Sequence, residues 1–173
     1  MARVIVANRG EIAIRILATL RERGDEGIAL SATDDADAPH VRRAAHAVPL
    51  PGAGTAAYLD IAAIIGAAQA ASADAIHPGY GFLSENPGFA RRVAEAGMRF
   101  IGPPAEQLAL FGDKVAARDL ARRAGVPVLS GSATLDEAGA TAFLAGLPQG
   151  AAMVLKAVHG GGGRGMRIVR SAD

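Results

Sequence analysis

The sequence predicts an α/β fold in which helices cover a parallel sheet. Short apolar runs typical of buried strands alternate with longer segments whose apolar residues recur at helical spacing. Turns follow two of these runs, at residues 8–11 and 77–85, and loops in such positions bind ligands in parallel sheets. With 173 residues, the chain can bury one sizeable core and begin a second.

The composition excludes several classes of protein. Hydrophobic residues make up 50% of the chain and charged residues 20%, which is typical of a globular domain. A net charge of +1 argues against a nucleic acid partner. The absence of cysteine excludes disulfides, thiolate metal sites and cysteine nucleophiles. Because we find no secretory signal and no apolar run of the ~20 residues that span a bilayer, we expect a cytoplasmic protein without membrane contact.

Five short apolar runs in the first hundred or so residues predict the strands. They lie at Arg3–Ala7, Gly27–Ser31, Ala47–Leu50, Ala75–His77 and Arg99–Ile101. Helical spacing predicts helices between them, at about 13–24, 40–43, 58–71 and 87–96. Pro49 cannot donate a ladder hydrogen bond, so we expect its strand at an edge of the sheet. These elements together predict one α/β domain.

The character of the sequence changes after Pro103. We predict helices at about 106–111, 114–124 and 136–144, a strand at Val128–Leu129, and two hairpin strands at 153–158 and 166–170. Asp113 is a suitable N-cap, but Lys114 beside it places a cation at the positive end of a helix dipole. Lys114 therefore suits an anion-binding residue, and a solvated surface lysine is the alternative.

A glycine-rich stretch, Lys156–Met166, joins the two predicted hairpin strands. Five of the six residues at 160–165 are glycine, so backbone N–H groups there can close onto an anion such as a nucleotide phosphate. Rossmann and P-loop motifs need a helix after the glycines, whereas a strand follows here. The lysine of protein kinases comes on the strand after the loop, whereas Lys156 precedes it. A disordered glycine tail is the alternative.

Five stretches of the sequence together point to one family. In chain order they are Val6–Ala13, Ile76–Asn86, Phe100–Pro103, Gly112–Lys114 and Lys156–Met166. Their order and spacing resemble the biotin carboxylase family of the ATP-grasp superfamily. The resemblance extends over the whole chain, and the second stretch alone is highly specific.

The resemblance implies a Rossmann-like, parallel-sheet pre-ATP-grasp domain at residues 1–111 and the beginning of an ATP-grasp domain at 112–173. Family members are ATP-dependent ligases. They use MgATP and bicarbonate to make carboxyphosphate, whose carboxyl group passes to biotin as the substrate and then to an acyl-CoA or keto acid acceptor. The implied partners are a biotin carrier domain, a carboxyltransferase component and a second copy of the chain in a homodimer.

The same resemblance implies roles for individual residues near the nucleotide. Lys114 and Lys156 would contact the phosphates, since lysine carries a compact charge on a flexible stem. The lid that closes over the phosphates would consist of Gly160, Gly161, Gly162, Gly163, Arg164 and Gly165. For Arg164, a solvated side chain is the alternative to a phosphate contact.

His77, Tyr80 and Gly81 lie in the loop that the resemblance places opposite biotin and bicarbonate, with Tyr80 as an aromatic wall. We expect His77 to fix the turn as a hydrogen-bond donor rather than to act as a catalytic base. A purely structural turn is the alternative. In the family, the metal ligands and the groups that activate bicarbonate lie beyond the matching stretches. We therefore assign no catalytic residue or metal ligand and expect residues 1–173 alone to be inactive.

Two other functions stay open. One is another ATP-grasp ligase, such as a carbamoyl phosphate or purine-pathway enzyme, although Ile76–Asn86 argues against it. The other is a stand-alone binding or dimerisation module. In the family a different domain selects the acceptor, so the sequence does not distinguish acetyl-CoA, propionyl-CoA, pyruvate and urea.

Overall fold

The chain forms two compact units, Met1–Asp113 and Lys114–Asp173. The computed structural model describes residues 1–129, 131–132, 135–157 and 165–171. Of the predicted lid, Gly160 to Arg164 therefore lie outside the described residues, as does the predicted end of the first hairpin strand at Val158. No helix in the described ranges is long and apolar enough to cross a bilayer.

A parallel sheet of five strands forms the centre of the first unit. Its strands are β1 (Arg3–Val6), β2 (Glu26–Ser31), β3 (His46–Pro49), β4 (Ala75–His77) and β5 (Arg99–Phe100). They lie side by side in the order β3, β2, β1, β4, β5. The predicted parallel α/β sheet is therefore confirmed, and Pro49 lies on an edge strand as expected.

Six helices accompany the sheet in this described unit. They are α1 (Gly10–Glu22), α2 (Pro39–Arg43), α3 (Gly54–Ala57), α4 (Ile61–Ala70), α5 (Pro87–Glu95) and α6 (Ala105–Gly112). The helix that we expected from Tyr58 begins at Ile61, because the Asp60 side chain caps it by accepting from the Ala63 N–H at 3.0 Å. The short helix α3 before it was not predicted.

Two helical layers bury the two faces of the sheet. Successive strand residues point to opposite faces. Ile5, Ile28 and Ile76 are register partners on one face and pack in the same core as residues of α4 and α5. Val4 and Val6 lie on the other face, where α1 covers them. Burial of each such side chain contributes roughly 1.5–3 kcal/mol, so the strands form a firm base for the loops at their ends.

In its described residues, the second unit contains two helices and an antiparallel hairpin. Its elements are α7 (Lys114–Arg123), α8 (Glu137–Ala145), β6 (Met153–Lys156) and β7 (Met166–Val169). Helix α8 begins after Asp136, whose Oδ1 accepts from the Gly139 N–H at 2.8 Å. The predicted hairpin is confirmed in the described residues.

The strand predicted at Val128–Leu129 is wrong. These residues have no regular secondary structure, and Leu129 is 91% exposed. The backbone just beyond them is held by a side chain of α7 instead, since Nη2 of Arg118 donates to the Ser132 carbonyl at 2.5 Å. A short apolar run becomes a strand only where a neighbouring strand supplies ladder hydrogen bonds, and no described strand pairs with this one.

Candidate functional site

The loops that follow β1 and β4 meet at the point where the strand order reverses. From β1 the chain moves outward through β2 to β3, and it then returns to place β4 on the other side of β1. Both strands end at the same edge of the parallel sheet, where Val6 pairs with His77 and the Ala7 N–H donates to the His77 carbonyl at 2.9 Å. Such reversals are where open α/β sheets bind ligands.

Asn8 joins these two loops. The residue is fully buried, and its Nδ2 donates to the Pro78 carbonyl at 2.8 Å and to the Tyr80 carbonyl at 2.9 Å. Its Oδ1 accepts from the Arg9 N–H at 2.9 Å. Both amide donors and the amide oxygen are therefore used, and the end of β1 is fastened to the loop that carries Tyr80.

His77 fixes the same turn from within, because its Nδ1 lies 3.0 Å from the backbone nitrogen of Gly79. An N–H group faces the ring there, so Nδ1 must accept and the ring proton of a neutral imidazole resides on Nε2. Burial lowers the pKa of His77 below its ordinary value of 6.5, which favours this neutral form. We expected His77 to fix the turn as a hydrogen-bond donor. This prediction is wrong, because His77 fixes the turn as an acceptor.

Gly79 is required at the centre of this turn. Its φ of 68° is in the left-handed region, and a Cβ on it would lie 2.6 Å from Nδ2 of Asn8 and 2.8 Å from Cγ2 of Ile12. The next residue, Tyr80, is 66% exposed, although its carbonyl is held by Asn8. The backbone is thus fixed while the phenol ring projects into solvent.

A cavity of about 300 Å³ opens between the start of α1 and this loop. Its lining residues are Asn8, Arg9, Gly10, Glu11, Ile12, Tyr80, Gly81 and Phe82. The volume is at the lower end of the range for small-molecule sites. The predicted site residues Tyr80 and Gly81 therefore form one wall of a cavity at the reversal of the strand order.

Arg9 also lines the cavity, and the Asp35 carboxylate holds its guanidinium. Its Nη2 donates to Oδ1 of Asp35 at 2.5 Å, and the Asp35 side chain is only 6% exposed. The guanidinium also lies 5.8 Å from the ring centroid of Tyr58, which is within the range of a cation–π contact. These two partners restrict the guanidinium to one position beside the cavity.

Tyr58 connects this ion pair to the core. Its hydroxyl donates to Oδ2 of Asp35 at 3.0 Å and accepts from the Ala32 N–H at 3.3 Å. Burial raises the pKa of Tyr58 above its ordinary value of 10.0, so the hydroxyl stays protonated. Nε2 of His40 lies 3.2 Å from the Leu30 carbonyl and donates to it, and burial lowers the pKa of His40, which keeps that ring neutral.

In the second unit, Lys156 and Gly165 come together at the end of the hairpin. Lys156 is exposed and pairs with Met166, and the Ala157 N–H donates to the Gly165 carbonyl at 2.9 Å. Gly165 has a φ of 73°, and a Cβ on it would lie 2.9 Å from Cβ of Ala157. Lys114 is the first residue of α7.

No group of three or more histidine, aspartate or glutamate side chains in the described ranges is arranged to hold a metal ion. Nucleotide-bound magnesium commonly takes only one or two carboxylates from the protein and completes its shell with phosphates and waters.

Sequence reasoning did not assign roles to Asn8, Arg9, Asp35 or Tyr58. Asn8 and Arg9 directly follow a buried strand at its carboxyl end, and this position was the one available signal. Asp35 lies in an acidic loop, and Tyr58 was placed at the start of a helix. Asn8 contacts carbonyls 70 and 72 positions away, and Asp35 contacts Arg9 and Tyr58 across 26 and 23 positions. No local pattern reports such pairings.

Comparison with known families decides the relationship. Residues 1–108 match the model described as "Biotin carboxylase, N-terminal domain".

The chain belongs to the biotin carboxylase family.

Residues 113–173 match the model described as "Carbamoyl-phosphate synthase L chain, ATP binding domain". The resemblance that the sequence motifs indicated is thus confirmed.

Individual biotin carboxylases and related enzymes are similar along nearly the whole chain. The biotin carboxylase of Pseudomonas aeruginosa is 46% identical over 171 residues, which is 98% of this chain and 38% of that protein. The pyruvate carboxylase of Bacillus subtilis is 49% identical over 98% of this chain and 15% of its own. The solved biotin carboxylase domain of the Hydrogenobacter thermophilus 2-oxoglutarate carboxylase is 40% identical with a TM-score of 0.90, over 99% of this chain and 38% of its own. The chain therefore spans well under half the length of these relatives.

Proposed function

We propose that this chain supplies the first part of a biotin carboxylase, a ligase that uses MgATP and bicarbonate to carboxylate biotin. In this proposal the carboxyl group then passes to an acyl-CoA or keto acid acceptor. The relatives include both a biotin carboxylase and a pyruvate carboxylase. The acceptor is therefore left open, and the carboxylation of biotin is the step proposed for this chain.

One observation carries the proposal. The loop with Tyr80 and Gly81 is clamped at the reversal of the strand order, beside a cavity of about 300 Å³, in a chain that matches the biotin carboxylase N-terminal domain over residues 1–108. Open α/β sheets bind their ligands at this place. A rigid backbone with an exposed aromatic ring suits the recognition of a ring substrate such as biotin, whose ureido ring is planar.

The loop residues have distinct proposed roles. Tyr80 supplies an aromatic wall, and Gly81 allows the substrate to approach the backbone because it has no side chain. His77 holds the turn through Nδ1 and keeps a proton on Nε2, so it orients the loop as a neutral ring. None of the three is proposed to exchange a proton with the substrate.

The second unit is proposed to bind ATP. Lys156 is exposed at the end of β6, where it is the first residue of the glycine-rich stretch, and Lys114 begins α7. Their ammonium groups would neutralise phosphate charge, and Gly160–Gly165 would close over the nucleotide and exclude water. The related H. thermophilus domain was solved as a dimer in complex with MgADP, ADP and bicarbonate. That complex supports our proposal that a nucleotide and bicarbonate are ligands of the enzyme to which this chain contributes.

We further propose the partners that biotin carboxylation requires. They are a biotin carrier domain, which presents the substrate, a carboxyltransferase component, which takes the carboxyl group onward, and a second copy of the chain. Magnesium would bind with ATP, and we place none of its ligands in the described residues. The cytoplasm is the proposed location, since it supplies both MgATP and bicarbonate.

A second candidate rests on the family match of residues 113–173, which is described by a carbamoyl phosphate synthase domain. ATP-grasp enzymes of that kind share the nucleotide chemistry without using biotin. Dependence on biotin therefore separates the two candidates, and the match of residues 1–108 favours the biotin enzyme.

The proposal is tested by ATP hydrolysis in a complete carboxylase that contains this sequence, with residues 1–173 measured in parallel. We expect hydrolysis by the complete enzyme to require bicarbonate and to be stimulated by free biotin, and we expect residues 1–173 alone to be inactive. Hydrolysis that needs bicarbonate but ignores biotin would support the carbamoyl phosphate type. Biotin-stimulated hydrolysis by residues 1–173 alone would contradict the placement of the catalytic groups elsewhere.

A further inference from the structure

Asn8 has no role in the hydrogen-bond ladder of the sheet. The ladder between β1 and β4 ends with Val6 and His77, and the Ala7 N–H makes the last backbone contact to that strand. Beyond that point, the Asn8 side chain continues the connection by donating to the carbonyls of Pro78 and Tyr80. Full burial of an amide is costly unless all of its polar atoms are paired, as they are here.

The loop cannot easily adapt to a change at Asn8. Gly79 packs so closely on Nδ2 that even a methyl group would not fit between them, and its N–H is held by Nδ1 of His77. The Tyr80 carbonyl belongs to the peptide group that also contains the Gly81 nitrogen. Its orientation therefore sets the direction in which the Gly81 N–H points beside the cavity.

We propose that Asn8 is a positioning residue for biotin, which acts by fixing the peptide group between Tyr80 and Gly81 in the orientation that receives the substrate. The inference rests on the proposed function, since it assumes that biotin lies against this loop. Asn8 is one of the residues that line the cavity, but its amide donors are taken by the Pro78 and Tyr80 carbonyls, so it acts through the backbone of its neighbours.

One substitution of Asn8 removes its hydrogen-bond donors while changing little else. Asn8→Asp keeps the shape and the oxygen that accepts from the Arg9 N–H, but it replaces the group that donates to the two carbonyls with an acceptor. Burial and the two facing carbonyls raise the pKa of the new carboxyl group. Protonation of this carboxyl group at lower pH would then restore one of the two hydrogen-bond donors that the substitution removes.

A matched control lies at the other end of the same loop. Asn86 caps α5 with Oδ1, which accepts from the Phe89 N–H at 3.0 Å. Asp is an equally good cap residue. Asn86→Asp therefore makes the same chemical change where only an acceptor is used, and we expect its kinetics to match those of the unsubstituted enzyme.

The experiment compares the steady-state kinetics of a complete carboxylase carrying this sequence with those of its two variants, varying free biotin and ATP separately. For Asn8→Asp we expect kcat/KM for biotin to fall at least about tenfold near pH 8, because a misplaced contact weakens the productive complex. The KM for ATP should stay within about twofold, and the loss for biotin should shrink near pH 6 relative to the unsubstituted enzyme at the same pH.

Three results would overturn the positioning role. They are unchanged biotin kinetics, an equal loss for biotin and ATP, and a loss of the same size in Asn86→Asp. Should Asn8→Asp fail to fold, Asn8→Ser retains one donor and must show the same selective loss for biotin, and a uniform loss or none overturns the role. An unsubstituted enzyme without biotin-dependent activity would instead refute the proposed function, and the positioning role would fall with it.

Discussion

The ring of Tyr58 stacks on the ring of Phe82, with centroids 5.6 Å apart and planes inclined by 13°. Phe82 has a φ of 41°, a left-handed conformation that costs a bulky residue roughly 1–3 kcal/mol. Stacking recovers about 0.5–1.5 kcal/mol of this, and a turn hydrogen bond from the Ser84 N–H to the Gly81 carbonyl at 2.9 Å adds to it. The wall of the cavity is therefore held in a strained conformation by a residue of the core.

The hydroxyl of Tyr58 is predicted to stabilise the first unit. Tyr58→Phe keeps the stack on Phe82 but removes the partner of the Ala32 N–H and of Oδ2 of Asp35. Because these groups are buried, we expect the free energy of unfolding of residues 1–173 to fall by about 1–3 kcal/mol. Urea titration followed by circular dichroism measures it. Tyr80→Phe makes the same change at an exposed ring and should stay within about 0.5 kcal/mol. If both variants lose the same amount of unfolding free energy, the hydrogen bonds of the Tyr58 hydroxyl do not stabilise the first unit as predicted.

Gly79 and Gly81 provide a second matched pair. Their φ values are 68° and 69°, so alanine at either position costs about 1–2 kcal/mol in backbone strain. Only at Gly79 does the new methyl group meet a neighbour, Nδ2 of Asn8 at 2.6 Å. We therefore expect Gly79→Ala to lower the free energy of unfolding by at least about 1 kcal/mol more than Gly81→Ala does. If the two variants lose similar amounts of unfolding free energy, the loop must rearrange around Asn8 and so avoid the clash with the new methyl group.

The pKa of His77 predicts how stability depends on pH. Burial lowers this pKa in the folded state, while the unfolded chain takes up the proton near 6.5. Between the two values the unfolded state binds more protons, so the free energy of unfolding falls as the pH decreases from about 6.5 toward the folded-state pKa. His77→Asn keeps an acceptor for the Gly79 N–H and does not titrate.

We therefore expect His77→Asn to lose less stability than the unsubstituted chain between about pH 7.5 and 5.5, as measured by urea unfolding at each pH. The stability of His77→Asn should still depend on pH to some extent, since burial lowers the pKa of His40 as well. The same loss with pH in both proteins would show that His77 is not the group responsible.

Lys156 is predicted to serve catalysis and not stability. The side chain is exposed on β6, so Lys156→Met should change the free energy of unfolding by no more than about 0.5 kcal/mol. In a complete carboxylase the same variant should lower ATP-dependent turnover at least about tenfold, because a phosphate loses its cation. Arg167 lies next to the register partner of Lys156 and so on the opposite face of the hairpin. Arg167→Met should leave turnover unchanged, and equal losses would indicate a general effect of charge.

The sequence predicted the sheet better than it predicted the site. Apolar runs such as Arg3–Val6 and Ala75–His77 are short, buried on both faces and bounded by turns, so local pattern is enough to find them. Val128–Leu129 shows the limit of the same reasoning, because an apolar pair forms a strand only if a partner strand is present. The loop with Tyr80 could be singled out because it follows a predicted strand and because Ile76–Asn86 resembles the biotin carboxylase family.

The contacts that hold that loop could not be predicted from the sequence. Asn8 reaches carbonyls 70 and 72 positions away, and Tyr58 reaches Asp35 across 23 positions. These pairings depend on which strands become neighbours in the sheet. Residue type alone does not predict the order of the strands. The direction of the His77 hydrogen bond was likewise mispredicted, because it depends on the orientation of the Gly79 N–H.

The central claim, that this chain is part of an enzyme that carboxylates biotin, is tested most directly by isotope transfer. A complete carboxylase containing residues 1–173 would be incubated with labelled bicarbonate, MgATP and free biotin, and label in biotin would be measured. We predict ATP-dependent labelling of biotin that falls at least about tenfold in Lys156→Met. A folded enzyme that hydrolyses ATP without labelling biotin, or that labels biotin without ATP, would contradict the claim.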